Sequence, residues 1–121
     1  MPFDIYDAVM HFGYSNRERP NMERRLELAG IVEWGALSLE DFCRVHKKLI
    51  DDPEIKNRAE EKYQKRYQEF WAAPFNGRYL ESMRLRVGTV EEVLNEMSAT
   101  ERRQLRERMV GVLQMTKRAE V

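Results

Sequence analysis

Apolar residues recur at intervals of three and four along most of this chain, which is the spacing of one face of an α-helix. Only 6 glycines and 4 prolines interrupt the 121 residues, and most of them stand between periodic segments. Glycine and proline at such positions are typical of helix ends and starts. The sequence therefore predicts an all-α fold, with residues 1–121 forming a single compact domain of about six or seven helices.

The helix boundaries are predicted from capping residues. Polar side chains that cap helix N-termini precede most of the periodic segments, and three of them begin a capping-box pattern, namely Ser38, Thr89 and Ser98. Asp52-Pro53 both ends one helix and starts the next. The expected helices are 4–12, 22–34, 39–50, 53–71, 78–87, 90–97 and 99–117, with a polar loop over 14–21.

One segment, 78–87, is open to two interpretations. Its apolar residues fit a helix, whereas Met83, Leu85 and Val87 alternate with arginines as in a strand. We favour the helix, because a lone strand in a helical chain has no partner for its backbone hydrogen bonds.

The segment 39–50 has the most regular apolar stripe, so Phe42, Cys43 and Leu49 are expected to lie at the centre of the core. The segment 4–12 is expected to form a short helix that Asp4 caps and Gly13 ends. Its expected core stripe is Ile5, Ala8, Val9 and Phe12. The last helix is expected to bury Leu105 and other apolar residues of its stripe.

Charge and cysteine content exclude several classes of protein. Lysine plus arginine (21) equals aspartate plus glutamate (21), so the chain as a whole has neither a strongly basic nor a strongly acidic character. A single cysteine excludes an internal disulfide framework and fits a reducing cytoplasm. The chain lacks an apolar run long enough to span a membrane, and its N-terminus does not resemble a signal peptide.

Catalytic and metal-binding patterns are weak. The sequence contains none of the phosphate-loop, nucleophile-elbow or zinc-protease motifs. Cys43 and His46 lie three residues apart, and Asp7 and His11 lie four apart, but these spacings match no common zinc motif. A buried thiol beside a core histidine is the simpler interpretation. We expect no catalytic residue, no cofactor, no metal and no enzymatic activity.

A protein-binding surface is expected where the fourth helix runs into the turn at 72–77. Aromatic side chains there outnumber those that a small core encloses, and aromatics with arginines are typical of interface centres and rims. A helix this rich in charge also needs a second surface to cover its narrow stripe. The expected partner-binding residues are Tyr63, Arg66, Tyr67, Phe70, Trp71, Phe75, Arg78 and Tyr79.

The alternative is a nucleic-acid-binding protein. The loop 15–25 and the last helix concentrate positive charge although the whole chain is neutral, and the residues that would contact phosphate are Arg17, Arg19, Arg24, Arg25, Arg102, Arg103 and Arg106.

The function predicted from the sequence is that of a small non-enzymatic regulatory or accessory protein. It would act in the cytoplasm through contacts with an unidentified protein partner and form a homodimer. A phage or mobile-element modulator of host machinery fits this description. The surface at the end of the fourth helix would carry the contacts.

Overall fold

The computed structural model describes residues 3–31, 35–72 and 89–111, with the backbone alone described at 70–72. Within these ranges the chain is all-α and contains no strand, which confirms the predicted fold class. The helices are α1 (Ile5–Phe12), α2 (Arg19–Leu28), α3 (Leu39–Ile50), α4 (Pro53–Ala72), α5 (89–96) and α6 (Ala99–Arg108). The segment 78–87, expected to be a helix, lies outside the described residues.

The ends of α1 are those that the sequence predicts. Asp4 caps the helix by accepting a hydrogen bond from the Asp7 backbone N–H at 3.0 Å, and the Asp7 carboxylate accepts one from the Asp4 N–H. Gly13 ends it with φ of 68°, a left-handed conformation that glycine adopts without steric cost. The chain then turns inward, so that Tyr14 is buried although it falls in the segment expected to be a polar loop.

The predicted boundaries of α2 are wrong at both ends. The helix begins at Arg19 rather than at residue 22, because Pro20 lies in its first turn, where a missing N–H costs nothing. It ends at Leu28 because Gly30 takes φ of 80°. The N–H groups of Gly30 and Ile31 then donate to the carbonyls of Glu27 and Leu26, which is the Schellman arrangement that closes a helix.

The third helix, α3, is the centre of the fold. Its predicted bounds, 39–50, are confirmed, and the Ser38 hydroxyl accepts from the Asp41 N–H at 3.2 Å. Phe42, Cys43 and Leu49 are buried as predicted. Because α1, α2 and α4 all pack against α3, its apolar stripe is enclosed on several sides.

The rest of the core comes from α1, α2, α4, α5 and α6 and from residues that follow the ends of helices. The buried apolar side chains outside α3 are Ala8, Tyr14, Met22, Leu26, Ala29, Ile31, Ile55, Val93, Leu94, Met97, Leu105 and Met109. They form one cluster with the stripe of α3. The described part of the chain therefore has one contiguous core.

An ion pair joins the start of α4 to the end of α6. Asp52 caps α4 by accepting from the Ile55 N–H at 3.3 Å, and its two carboxylate oxygens accept from Arg108 at 2.7 and 2.9 Å. Arg108 is the last residue of α6, and the chain turns at Met109, so the predicted uninterrupted helix over 99–117 is wrong at this point. The predicted capping box at Ser98 is confirmed.

Candidate interaction surface

Four of the six large apolar side chains that are exposed in the described part of the chain lie on α1. Tyr6 and Met10 are 68% and 66% exposed, and Ile5 and Val9 are 39% and 48% exposed. The expectation that Ile5 and Val9 belong to the core stripe is therefore wrong. Of that stripe Ala8 is buried, whereas Phe12 is only partly buried and packs against the core.

The geometry of a two-turn helix explains this arrangement. Residues four apart share a row on a helix surface, so α1 has four rows: Ile5 with Val9, Tyr6 with Met10, Asp7 with His11, and Ala8 with Phe12. The Ala8 row faces the core, which places the Tyr6 row on the opposite side of the helix. One flank of that outer row is apolar, and the other carries Asp7 and His11. Contiguous exposed apolar side chains of this kind mark contact surfaces.

The surface predicted at the end of α4 is described only in part. Tyr63 is partly buried and Tyr67 is 39% exposed, and their rings pack together with centroids 5.9 Å apart. Arg66, expected at the rim of an interface, forms an ion pair with Glu92 of α5. The side chains of Phe70, Trp71, Phe75, Arg78 and Tyr79 lie outside the described residues.

Charged residues on α4 pair with α5 and α6 instead of facing only solvent. Arg66 binds Glu92, Lys62 binds Glu96 at 2.8 Å, and Arg58 binds Glu101 at 2.6 Å, in a row along the helix. Such exposed pairs are individually weak, but together they orient one helix on its neighbours. Part of the charged face of α4 is therefore paired within the chain, and the contact of this helix with a second surface stays a prediction.

Of the seven arginines expected to bind nucleic acid, three form contacts within the protein and four are exposed. Arg102 donates to the Leu94 carbonyl at 2.9 and 3.2 Å and so caps the C-terminus of α5. Arg19 pairs with Glu23 and lies 5.2 Å from the centre of the Phe42 ring. Arg25 is buried, so it cannot contact phosphate on the surface.

The other four of these arginines are exposed and form no ion pair with the described residues; they are Arg17, Arg24, Arg103 and Arg106. Nucleic-acid binding, the alternative function, would therefore depend on fewer arginines than the sequence predicts.

A buried polar cluster joins α2, α3 and α5. The Arg25 guanidinium donates to Nε2 of His46 at 2.9 Å and, through Nε, to the carboxylate of Glu91 at 3.2 Å. Because a guanidinium only donates, Nε2 must be the unprotonated ring nitrogen of His46. The second Glu91 oxygen is buried without a hydrogen-bond partner among the described residues. Periodicity placed His46 in the core but gave no sign of its partners.

His46 makes stability depend on pH. Burial, followed by the charge of Arg25, lowers its pKa from 6.5 to about 4, while Asp51 acts weakly in the opposite direction. Between these two values the unfolded chain binds more protons than the folded one, so the free energy of unfolding should fall as the pH decreases from 6.5 to 4. A shift of this size corresponds to about 3 kcal/mol.

Urea unfolding monitored by circular dichroism at pH 7, 6 and 5 measures this dependence. The control is His46→Gln, whose amide oxygen can accept from Arg25 but does not titrate. We expect the stability difference between wild type and variant to shrink or reverse as the pH falls. A difference that is constant over this range would contradict the assignment.

Burial outweighs the activating charge of Arg19 at the Cys43 thiol. Cys43 is fully enclosed, and burial raises its pKa to about 11, with Arg19 acting in the opposite direction. A thiol with a raised pKa stays protonated and is a poor nucleophile. Nε2 of His46 is occupied by Arg25, and both Cys43 and His46 are buried, so the pair has the surroundings of packed core residues.

The described residues contain no group of three or more histidine, cysteine, aspartate or glutamate side chains placed to hold a metal ion, and none of their helices is long and apolar enough to cross a membrane. A shallow depression on α4 is lined by Asn57, Glu60, Glu61 and Gln64. Its lining comes from one helix, so it does not bring groups of different elements together.

Comparisons of the chain with protein-family models, with curated proteins and with solved structures find no match.

Proposed function

We propose that this chain is a small regulatory or accessory protein that acts by binding another protein chain, without catalysis. The observation that carries the proposal is the uncovered apolar face of α1, in which Tyr6 and Met10 are about two-thirds exposed. Aromatic side chains and methionine are enriched at protein interfaces, and methionine adapts to the shape of a partner. The reduced, buried Cys43 is compatible with the cytoplasm as its location.

Nucleic-acid binding is the less favoured function. A phosphate-binding face needs several exposed cations that are not paired within the protein. Three of the seven arginines in question have internal partners, namely Arg19, Arg25 and Arg102. The four exposed arginines are compatible with weak, salt-sensitive binding only.

Affinity capture from the source cells tests the proposal. Wild-type protein should retain a defined partner, and the double variant Tyr6→Ser/Met10→Ser should lose it, because the variant removes the apolar contact and leaves the core row of α1 intact. Lys48→Ala, an exposed position on α3, is the matched control and should retain the partner.

A gel-shift assay at two salt concentrations tests the alternative. Binding to nucleic acid that weakens steeply with salt and is lost in Arg103→Ala/Arg106→Ala would favour that function over the proposed one. No retained protein, together with such a shift, would contradict the proposal.

A further inference from the structure

We propose that Met10 is a site of reversible oxidation, at which a hydroperoxide converts the thioether to a sulfoxide and makes the outward face of α1 polar. This face is formed by Ile5, Tyr6, Val9 and Met10. The consequence for binding rests on the proposed function, since the same face carries the proposed contacts. Met10 is singled out by the placement of the sulfur atoms in the fold.

Four of the five sulfur-bearing side chains in the described part of the chain lie in the core. These four are Met22, Cys43, Met97 and Met109. The fifth, Met10, is 66% exposed and lies on the row of α1 opposite the core. Because a peroxide must reach a sulfur atom to react with it, the fold protects the four core sulfurs and presents that of Met10 to solvent.

The Cys43 thiol should not compete with Met10 for the oxidant. Peroxides react with the thiolate form of cysteine. Burial raises the pKa of Cys43 to about 11, so its thiolate is scarce at neutral pH, and the side chain is also closed to solvent. A thioether carries no proton and needs no such activation. Met10 should therefore be the first of these five side chains to react.

The oxidation transfers one oxygen atom and two electrons. A lone pair of the Met10 sulfur attacks the terminal oxygen of the hydroperoxide, the O–O bond breaks, and an S–O bond forms. The proton of the transferred oxygen passes to the leaving oxygen, which departs as water or an alcohol. A thiol-dependent methionine sulfoxide reductase reverses the change, because two thiols become a disulfide and the oxygen leaves as water.

Oxidation at this position should change the surface and leave the core intact. Ala8 is the buried residue of α1, so the new S–O group would lie on the side of the helix away from the core. A sulfoxide is polar, and burying a polar group against an apolar partner without a hydrogen-bond donor is unfavourable. The outward face of α1 would therefore lose the apolar character that binding another chain requires.

Peptide mapping by mass spectrometry tests the site. The full chain is treated with hydrogen peroxide, and sulfoxide formation is followed over time at each methionine. Met10 should react at least about tenfold faster than Met22, Met97 and Met109, because those side chains meet peroxide only in molecules that open locally. Far-ultraviolet circular dichroism should stay unchanged during this first phase. A rate at Met10 no greater than at the three buried methionines would overturn the proposal.

Retention on a phenyl-substituted chromatography matrix tests the change in polarity. Peroxide-treated wild type should elute earlier than untreated protein, and a methionine sulfoxide reductase with a thiol should restore its retention. Met10→Leu is the matched control, because leucine is apolar and of similar size and the variant keeps every other methionine. Peroxide should shift this variant less than wild type.

A second variant imitates the oxidised state without peroxide. Met10→Gln places an amide oxygen near the position of the sulfoxide oxygen, so untreated Met10→Gln should elute earlier than wild type. Equal peroxide shifts of wild type and Met10→Leu would overturn the proposal, and so would a shift that the reductase does not restore.

Capture from the source cells separates this inference from the proposed function. Treated wild type should retain at least about fivefold less partner than untreated protein, whereas treated Met10→Leu should retain as much as before. Undiminished capture by treated wild type would overturn the effect of Met10 oxidation on binding. If nothing is captured before treatment but the mapping and retention results hold, the proposed function fails and the oxidation site stands.

Discussion

Replacing Arg25 with methionine should destabilise the fold by about 3–5 kcal/mol. The guanidinium is the hydrogen-bond donor for both His46 and Glu91, and Glu91 already has one buried oxygen without a partner among the described residues. Without Arg25, the Glu91 carboxylate, one oxygen of which is buried, would be left uncompensated, which is the costly outcome for a buried ion pair.

Chemical denaturation of three variants measures this effect. Arg24→Met, at the exposed neighbouring position, should change the free energy of unfolding by less than about 0.5 kcal/mol. The double variant Arg25→Met/Glu91→Met should be more stable than Arg25→Met alone, because no charge is left buried. Equal, small losses for Arg24→Met and Arg25→Met would show that the buried cluster contributes little.

Truncating Phe42 to alanine should cost about 3–5 kcal/mol, because the ring lies at the centre of the core and its removal leaves a cavity. The substitution also removes an edge-to-face contact with Tyr14 at 6.4 Å and the ring beneath the Arg19 guanidinium. Lys48→Ala, on the exposed side of the same helix, should cost little. Similar effects of the two substitutions in urea unfolding would mean that α3 is not the centre of the fold.

Local signals were sufficient to predict most helix boundaries. Asp4, Ser38, Asp52 and Ser98 each accept a backbone N–H at the start of a helix, as the sequence predicts. A capping interaction involves residues three apart, so the sequence contains both partners side by side. The ends of α2 were missed because Pro20 and Gly30 allow more than one boundary, and the surrounding fold selects among them.

The side of α1 that faces the core could not be predicted from periodicity. Its sequence, IYDAVMHF, is apolar on three of the four rows, so the stripe that begins at Ile5 and the row of Tyr6 and Met10 compete for the core. The small Ala8 allows close packing on α3, which leaves the larger side chains outside. The pairing of residues distant in the chain, such as Arg25 and Glu91, could not be predicted from the sequence either, because it depends on how α2 and α5 pack together.

The proposed function depends on contacts between the outward face of α1 and another protein chain. The most direct measurement places a photoreactive amino acid at position 6 or, as a control, at exposed position 48, and identifies the cross-linked products formed in the source cells. We expect a specific adduct from position 6, with this chain itself or with another protein, and none from position 48. No adduct from position 6, or the same adducts from both positions, would contradict the proposed function.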